Sequence, residues 1–171
     1  LEHTDETFFV DVKKLLPGHY LTIDEYGLTV KRYWSLQMDS TVSRLSNGES
    51  AARFYELFVD SVRLRLQSEV PVGTCLSGGL DSSSVACVIN NLLSDKRVDR
   101  TVIGEHQKTF SARFPGHSID EGEFMSEVVK QINANAHYVY PQGTDLFNDG
   151  LKMLWHQEEP IPGTSFYAQW C

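Results

Sequence analysis

The stretch Leu76-Ser77-Gly78-Gly79-Leu80-Asp81-Ser82-Ser83-Ser84 concentrates the residue types that bind anions. Gly78 and Gly79 let the backbone turn sharply and approach a ligand with no Cβ in the way. The hydroxyls of Ser77, Ser82 and Ser83 and the free N–H groups of a helix start converge on one point, which suits an oxyanion. No GK[ST] follows, so this is not a Walker loop, and the GxGxxG spacing of the dinucleotide fingerprint is absent. Nor is it a nucleophile elbow, because Cys75 stands where the first glycine of GxSxG would be. Asp81 is the residue that a passive anion cradle would avoid. A carboxylate beside bound phosphates makes sense when Mg²⁺ lies between them and neutralises both. The plainer alternative is a Ser/Gly-rich turn with Asp81 as an ordinary helix N-cap.

Other reactive side chains have weaker patterns. Cys75 and Cys87 sit in apolar stretches and read as core residues. His19, His117, His137 and His156 show no metal-ligand spacing and read as surface or turn residues. Glu158 and Glu159 either orient a substrate or form an exposed pair before Pro160. Trp34, Trp155 and Trp170 read as packing residues.

Positioning the loop requires a strand before it and a helix after it. Val70-Pro-Val-Gly-Thr-Cys-Leu76 is short, apolar and bounded by turn signals, as a strand buried on both faces would be. From Asp81, the spacing of Val85, Val88, Ile89 and Leu92 predicts a helix ending near Ser94-Asp95. Upstream, Phe54, Leu57, Phe58, Val62 and Leu66 predict an amphipathic helix from Ala51 to about Ser68. Downstream, Thr109–Phe114 and His137–Tyr140 read as strands, flanking a helix opened by Ser118 or Asp120 with Phe124, Val128 and Ile132 on one face. A last helix is expected over Asp145–His156, before the Pro160/Pro162/Gly163 break. Residues 95–108 carry no clear pattern. This β-α-β-α-β-α order predicts a mainly parallel sheet, with the ligand beyond the carboxyl ends of its strands. Before it, Tyr20–Asp24 and Leu28–Tyr33 alternate around Glu25-Tyr26-Gly27, which is a hairpin signature. Residues 37–50 turn to Ser, Thr, Asp, Asn and Gly, marking a linker.

The 171 residues carry 15 Lys plus Arg against 23 Asp plus Glu, a formal charge of -8, and show no basic run. A general attraction to nucleic acid or anionic lipid is therefore excluded as an expectation, and any phosphate site must be local. Three cysteines cannot all pair and no CxxC occurs, which favours a reducing cytoplasm and argues against structural zinc. No apolar run approaches the ~20 residues needed to cross a bilayer. The chain starts without Met and ends straight after the apolar run Phe166–Trp170, so a fragment of a longer protein is expected.

The loop Ser77-Gly-Gly-Leu-Asp-Ser-Ser83, preceded by Val70-Pro-Val-Gly73, resembles the pyrophosphate loop of the asparagine synthase family within the ATP pyrophosphatases, which carry the SGGxDS signature. Glu6-Thr-Phe-Phe9, Leu15-Leu-Pro-Gly-His-Tyr20 and Lys31-Arg-Tyr-Trp34 resemble the end of that family's glutamine amidotransferase domain. Thr109–Phe114 with Asp120-Glu121, and Glu158-Glu-Pro160, resemble its later strand and acidic segments. The resemblance implies an incomplete α/β doubly wound parallel sheet of the adenine nucleotide alpha hydrolase-like, PP-loop type, preceded by a β-hairpin remnant of the amidotransferase domain. It divides the chain into the end of that domain (1–36), a linker (37–50) and the N-terminal half of the synthetase domain (51–171). It makes Leu76, Ser77, Gly78, Gly79, Leu80, Asp81, Ser82, Ser83 and Ala112 the ATP and pyrophosphate contacts, Leu76 and Ala112 on the adenosine side, with Asp81 a Mg²⁺ ligand. ATP, aspartate and glutamine-derived ammonia are the implied small-molecule partners, and a homodimer stays open. The family's N-terminal cysteine nucleophile, its GxGxDE segment and its distal lysine have no counterpart here, so the chain holds part of a site. Another carboxylate-adenylating ligase such as a β-lactam synthetase-like enzyme, and a non-catalytic nucleotide-binding module, are the alternatives.

Overall fold

A computed structural model describes residues 3–160 and 163–171, with Ser43 and Arg100 described by their backbone alone. Pro162, part of the expected break after the last long helix, lies outside the described residues.

The hairpin forms as its alternation predicts. β1 (His19–Asp24) pairs antiparallel with β2 (Gly27–Arg32), and Asp24 lies opposite Gly27 across the two-residue turn. Asp24 Oδ1 accepts the Tyr26 N–H at 2.8 Å, and Gly27 takes φ +118, a conformation open to glycine. At the hairpin base Gly18 O accepts the N–H groups of both Tyr33 and Trp34.

α1 (Asn47–Arg65) begins before the first residue of its apolar stripe, because Ser46 and Glu49 form a capping box. Ser46 Oγ accepts the Glu49 N–H at 3.3 Å, and Glu49 Oε2 accepts the Ser46 N–H at 2.8 Å. Its buried face also differs from the expected one. Val59, Val62 and Leu66 are enclosed, whereas Phe54 and Leu57 are exposed. Val59 lies one position from Phe58, so the packed stripe is rotated by part of a turn relative to the bulkier residues that dominate the sequence pattern.

Beyond α1 the order is β3 (Gly73–Cys75), α2 (Leu80–Ser94), β4 (Lys108–Ala112), α3 (Gly122–Ile132), β5 (Asn135–Val139), α4 (Gly143–Gln157) and α5 (Ser165–Trp170). β3, β4 and β5 form a parallel sheet in that order, with Cys75 paired to Phe110 and Phe110 to His137. This is the parallel α/β sheet that the alternation of strands and helices requires. α1 and α2 meet through Val59, Val62, Leu66, Val88, Ile89 and Leu92, joined by Ile103. Ile103 falls in the segment without sequence pattern, where a short 3₁₀ turn at 100–102 carries it into the core. Ala86 of α2, Met125 and Ile132 of α3, and Leu76 form a second core cluster.

Both crossover helices thus pack together on one side of the sheet. On β4 the side chains of Thr109 and Ser111 point into that core, while Lys108 and Phe110 are exposed. Cys75 and His137 share the open face with Phe110, whose ring stacks on His137 at 5.0 Å. Cys75, expected in the core, is corrected to this face, because period-2 alternation puts it opposite the half-buried Thr74. Cys87 is half-buried against the second cluster. On α3, Met125 is enclosed and Phe124 exposed, so the packed stripe differs from the expected one at its start and rejoins it at Ile132. No helix among the described residues is long and apolar enough to cross a membrane.

Candidate anion-binding site

Leu76 ends the central path from β3 into the loop. Its N–H donates to Phe110 O at 2.9 Å and its C=O accepts the Ser111 hydroxyl at 2.7 Å. With 1% of its surface exposed, the Leu76 side chain belongs to the core, so any contact it makes with a ligand comes from its main chain. Ala112, at the carboxyl end of the neighbouring β4, is half-buried and lies opposite Val139. Leu80 points into solvent.

The loop itself is a strand-to-helix connection, as its composition predicts. Gly78 adopts φ +88, and a Cβ there would lie 2.9 Å from both the carbonyl oxygen and the Cβ of Glu121. A glycine is therefore required twice, by backbone conformation and by the closeness of the β4–α3 connection. Gly79 is the extended N-cap of α2, with φ -68 and ψ 161, and no side chain caps the helix. Asp81 is therefore not the N-cap. It lies inside the first turn, exposed, with no hydrogen bond or ion pair among the described residues.

Two of the hydroxyls work on the loop. Ser82 Oγ donates to Gly79 O at 3.2 Å and accepts the Ser77 N–H at 3.2 Å, with Ser77 Oγ 3.0 Å away. The Gly79 N–H reaches Ser77 Oγ at 3.4 Å. Ser83 enters the helix proper, its N–H bonded to Gly79 O at 3.1 Å. The first-turn N–H groups of Leu80, Asp81 and Ser82 have no intrahelical acceptor, and they carry the positive end of the helix dipole. An oxyanion placed there would meet these main-chain donors, on a loop that Ser77 and Ser82 brace from within.

A metal fits this site only in part. Among the described residues no group of three His, Cys, Asp or Glu is placed to hold an ion. Asp81 offers one free carboxylate, which suits Mg²⁺, an ion that keeps several waters and binds through one or two carboxylates plus substrate phosphates. Asp81 also lines an open groove between α1 and α2 with Phe54, Tyr55 and Phe58.

The sequence did not reveal the half-buried ion pair beside the loop. Arg113 Nε and Nη2 donate to Asp120 Oδ1 and Oδ2, each at 2.9 Å, and the Phe114 N–H donates to Asp120 Oδ1 at 2.9 Å. The Arg113 guanidinium, then the Phe114 N–H, hold the Asp120 carboxyl below the usual carboxylate range, and Asp120 in turn raises Arg113. Asp120 therefore does not open α3, whose N-cap is Glu121. The available signal was the Pro115-Gly116 turn between the two charges, which folds residue 120 back towards residue 113. Of the other candidates, Glu158 closes α4 as its left-handed C-cap, and His156 packs between the rings of Trp155 and Trp170.

Residues 53–171 match the family model described as asparagine synthase. The chain belongs to the asparagine synthase family. Asparagine synthetase [glutamine-hydrolyzing] 2 of Bacillus subtilis is 32% identical over 94% of this chain and 22% of its own length. Amidase chyE of Penicillium rubens is 29% identical over 91% of the chain and 24% of its own length. Asparagine synthetase [glutamine-hydrolyzing] 3 of B. subtilis is 39% identical over 47% of the chain and 13% of its own length. The chain spans about a quarter, or less, of the length of these curated relatives. As an asparagine synthase family member it carries a parallel α/β sheet and belongs to a family that uses ATP as a substrate. The match covers the loop, β4 and β5.

Proposed function

We propose that this chain is the part of a glutamine-dependent asparagine synthase that holds the pyrophosphate end of ATP while a carboxylate is activated. In the proposed reaction the carboxylate oxygen attacks the α-phosphorus, the bond to the bridging oxygen breaks, and pyrophosphate leaves. Ammonia from glutamine then displaces AMP from the acyl-adenylate to form the amide. The observation that carries the reading is the uncapped start of α2 at the carboxyl end of a parallel strand, behind two glycines. Its main-chain donors would accept the charge that grows on the leaving pyrophosphate without reorganising, as preorganised oxyanion sites do. Leu76 and Ala112 would flank the adenosine. Bound Mg²⁺, held by Asp81 and the phosphates, would neutralise charge on the pyrophosphate. Residues 1–36 would close an amidotransferase domain, 37–50 link it, and 51–171 open the synthetase domain. A cytoplasmic location and a homodimer are part of the same proposal.

The test is Asp81→Asn in the longer protein, across a Mg²⁺ titration. Asp81 is not the helix cap, so the swap leaves the start of α2 as before and removes only the charge. Pyrophosphate release should fall by at least ~10²-fold, the scale of losing one electrostatic contributor to a transition state, with glutamine hydrolysis much less affected. Near-normal release would remove the metal from Asp81.

A second reading has its own support, since a relative named an amidase matches the chain as extensively as asparagine synthetases do. Another carboxylate-adenylating ligase of this fold, for example a β-lactam synthetase-like enzyme, would share the loop and differ in its acceptor. Pyrophosphate release with aspartate supports the first reading, release with a different carboxylate supports the second, and nucleotide binding without release identifies a binding module.

A further inference from the structure

We propose that Arg113 and Asp120 are positioning residues that clamp the start of α3 against the pyrophosphate loop, so that their pairing sets the loop's rigidity and its affinity for phosphate. The inference rests on the reading of residues 77–83 as a pyrophosphate cradle. Arg113 is the residue after β4, and Asp120 lies two residues before α3. Their bidentate contact, with the Phe114 N–H on the same carboxylate, closes the connection 113–120 at both ends. The side chains are 23% and 13% exposed, shielded enough to hold one geometry, unlike the open pairs elsewhere on the helices.

The clamp reaches the loop through its neighbour. Glu121 follows Asp120, and its carbonyl oxygen and Cβ fill the space that a side chain on Gly78 would need. Any shift of the Asp120 end therefore moves the surface on which Gly78 rests. Gly122 completes the fit from below, since a Cβ there would overlap the Arg113 guanidinium. The Arg113 guanidinium also lies over the Tyr138 ring on β5, 5.7 Å from its centre. A lysine could supply charge at this place but not two parallel donors over a glycine floor.

Gly122→Ala supplies the decisive variant. It keeps both charges and a helix-compatible residue, and displaces only the far end of a flexible side chain. Arg113→Lys keeps the charge and removes the fork. Lys130→Ala, which breaks the exposed Lys130–Glu127 pair on the same helix, is the control. Amide hydrogen exchange is read in peptides covering 76–84 and 113–121, and affinity for inorganic pyrophosphate is measured by calorimetry. Both clamp variants should speed exchange in 76–84 and weaken pyrophosphate binding ~10-fold, as loss of an outer supporting partner typically does, while Lys130→Ala changes neither. Faster exchange confined to 113–121, with 76–84 and pyrophosphate affinity unchanged, would reduce the pair to a local staple and overturn the proposal. If the unaltered protein binds no pyrophosphate, the cradle reading fails instead, and exchange in 76–84 still decides whether the clamp acts on the loop.

Discussion

Asp81 and Asp120 are two carboxylates near one loop with opposite surroundings. Asp81 stands free in the first turn of α2, whereas Asp120 accepts hydrogen bonds from Arg113 and the Phe114 N–H. Free charge near a helix start is available to a ligand, and paired charge is committed to the fold. Asp120 has a folded pKa below its unfolded value. Its contribution to stability is then fully present above the unfolded pKa of about 3.9 and is lost as pH falls through the lowered folded value. Glu49 is lowered in the same direction by Ser46, so several groups share the acid limb. Asp120→Asn should therefore flatten, without abolishing, the fall of the urea midpoint below about pH 4, and leave the pH dependence near neutrality unchanged. An acid limb as steep as that of the unaltered chain would show that the pair is not coupled to folding.

At the scale of elements, the start of α1 depends on one side chain. Ser46→Ala deletes the acceptor of the Glu49 N–H and half of the capping box, and should lower stability by ~1 kcal/mol in chemical denaturation, with Ser46→Gly costing less. A Ser46→Ala chain as stable as the unaltered one would mean that the helix is held by Val59, Val62 and Leu66 alone. The same helix shows how much the sequence discloses. Its existence follows from apolar spacing, but Ser46-Asn-Gly-Glu49 lies in a polar stretch whose composition resembles a linker, which hides the cap. Phe54 and Leu57 mislead because a pattern records where apolar residues recur and not which flank finds a partner. The loop is more legible than the helices around it, since Gly78 has few uses other than the left-handed turn and close approach that it makes. What its serines do within the loop is less legible, because a hydroxyl can serve a ligand or its own loop, and Ser77 and Ser82 bond within theirs. The Arg113–Asp120 contact leaves no periodic trace because it joins two elements across a turn, and only the Pro115-Gly116 turn between the two charges signals it.

For the whole molecule, the sheet has one face under α2 and α3 and another bearing Cys75, Phe110 and His137, while α4 carries an exposed stripe of Phe147, Leu151 and Trp155. A parallel sheet normally has both faces covered, because its strands are joined by helices that need apolar surface to pack against. The cysteines report on this layering. A thiol reacts at a rate set by its access to reagent as well as by its ionisation. Cys75 and Cys171 are exposed and Cys87 is half-buried against α3, so under native conditions a maleimide should modify the first two well before the third. Denaturant should make the three rates similar, and mass spectrometry of digested protein assigns each site. This chain spans 24% and 22% of the lengths of two of its relatives, so the comparison extends to the longer protein. If its additional residues cover the open face, Cys75 there should react as slowly as Cys87 does here. Rapid modification of Cys75 in both would show that the face stays bare and that the sheet is layered on one side only.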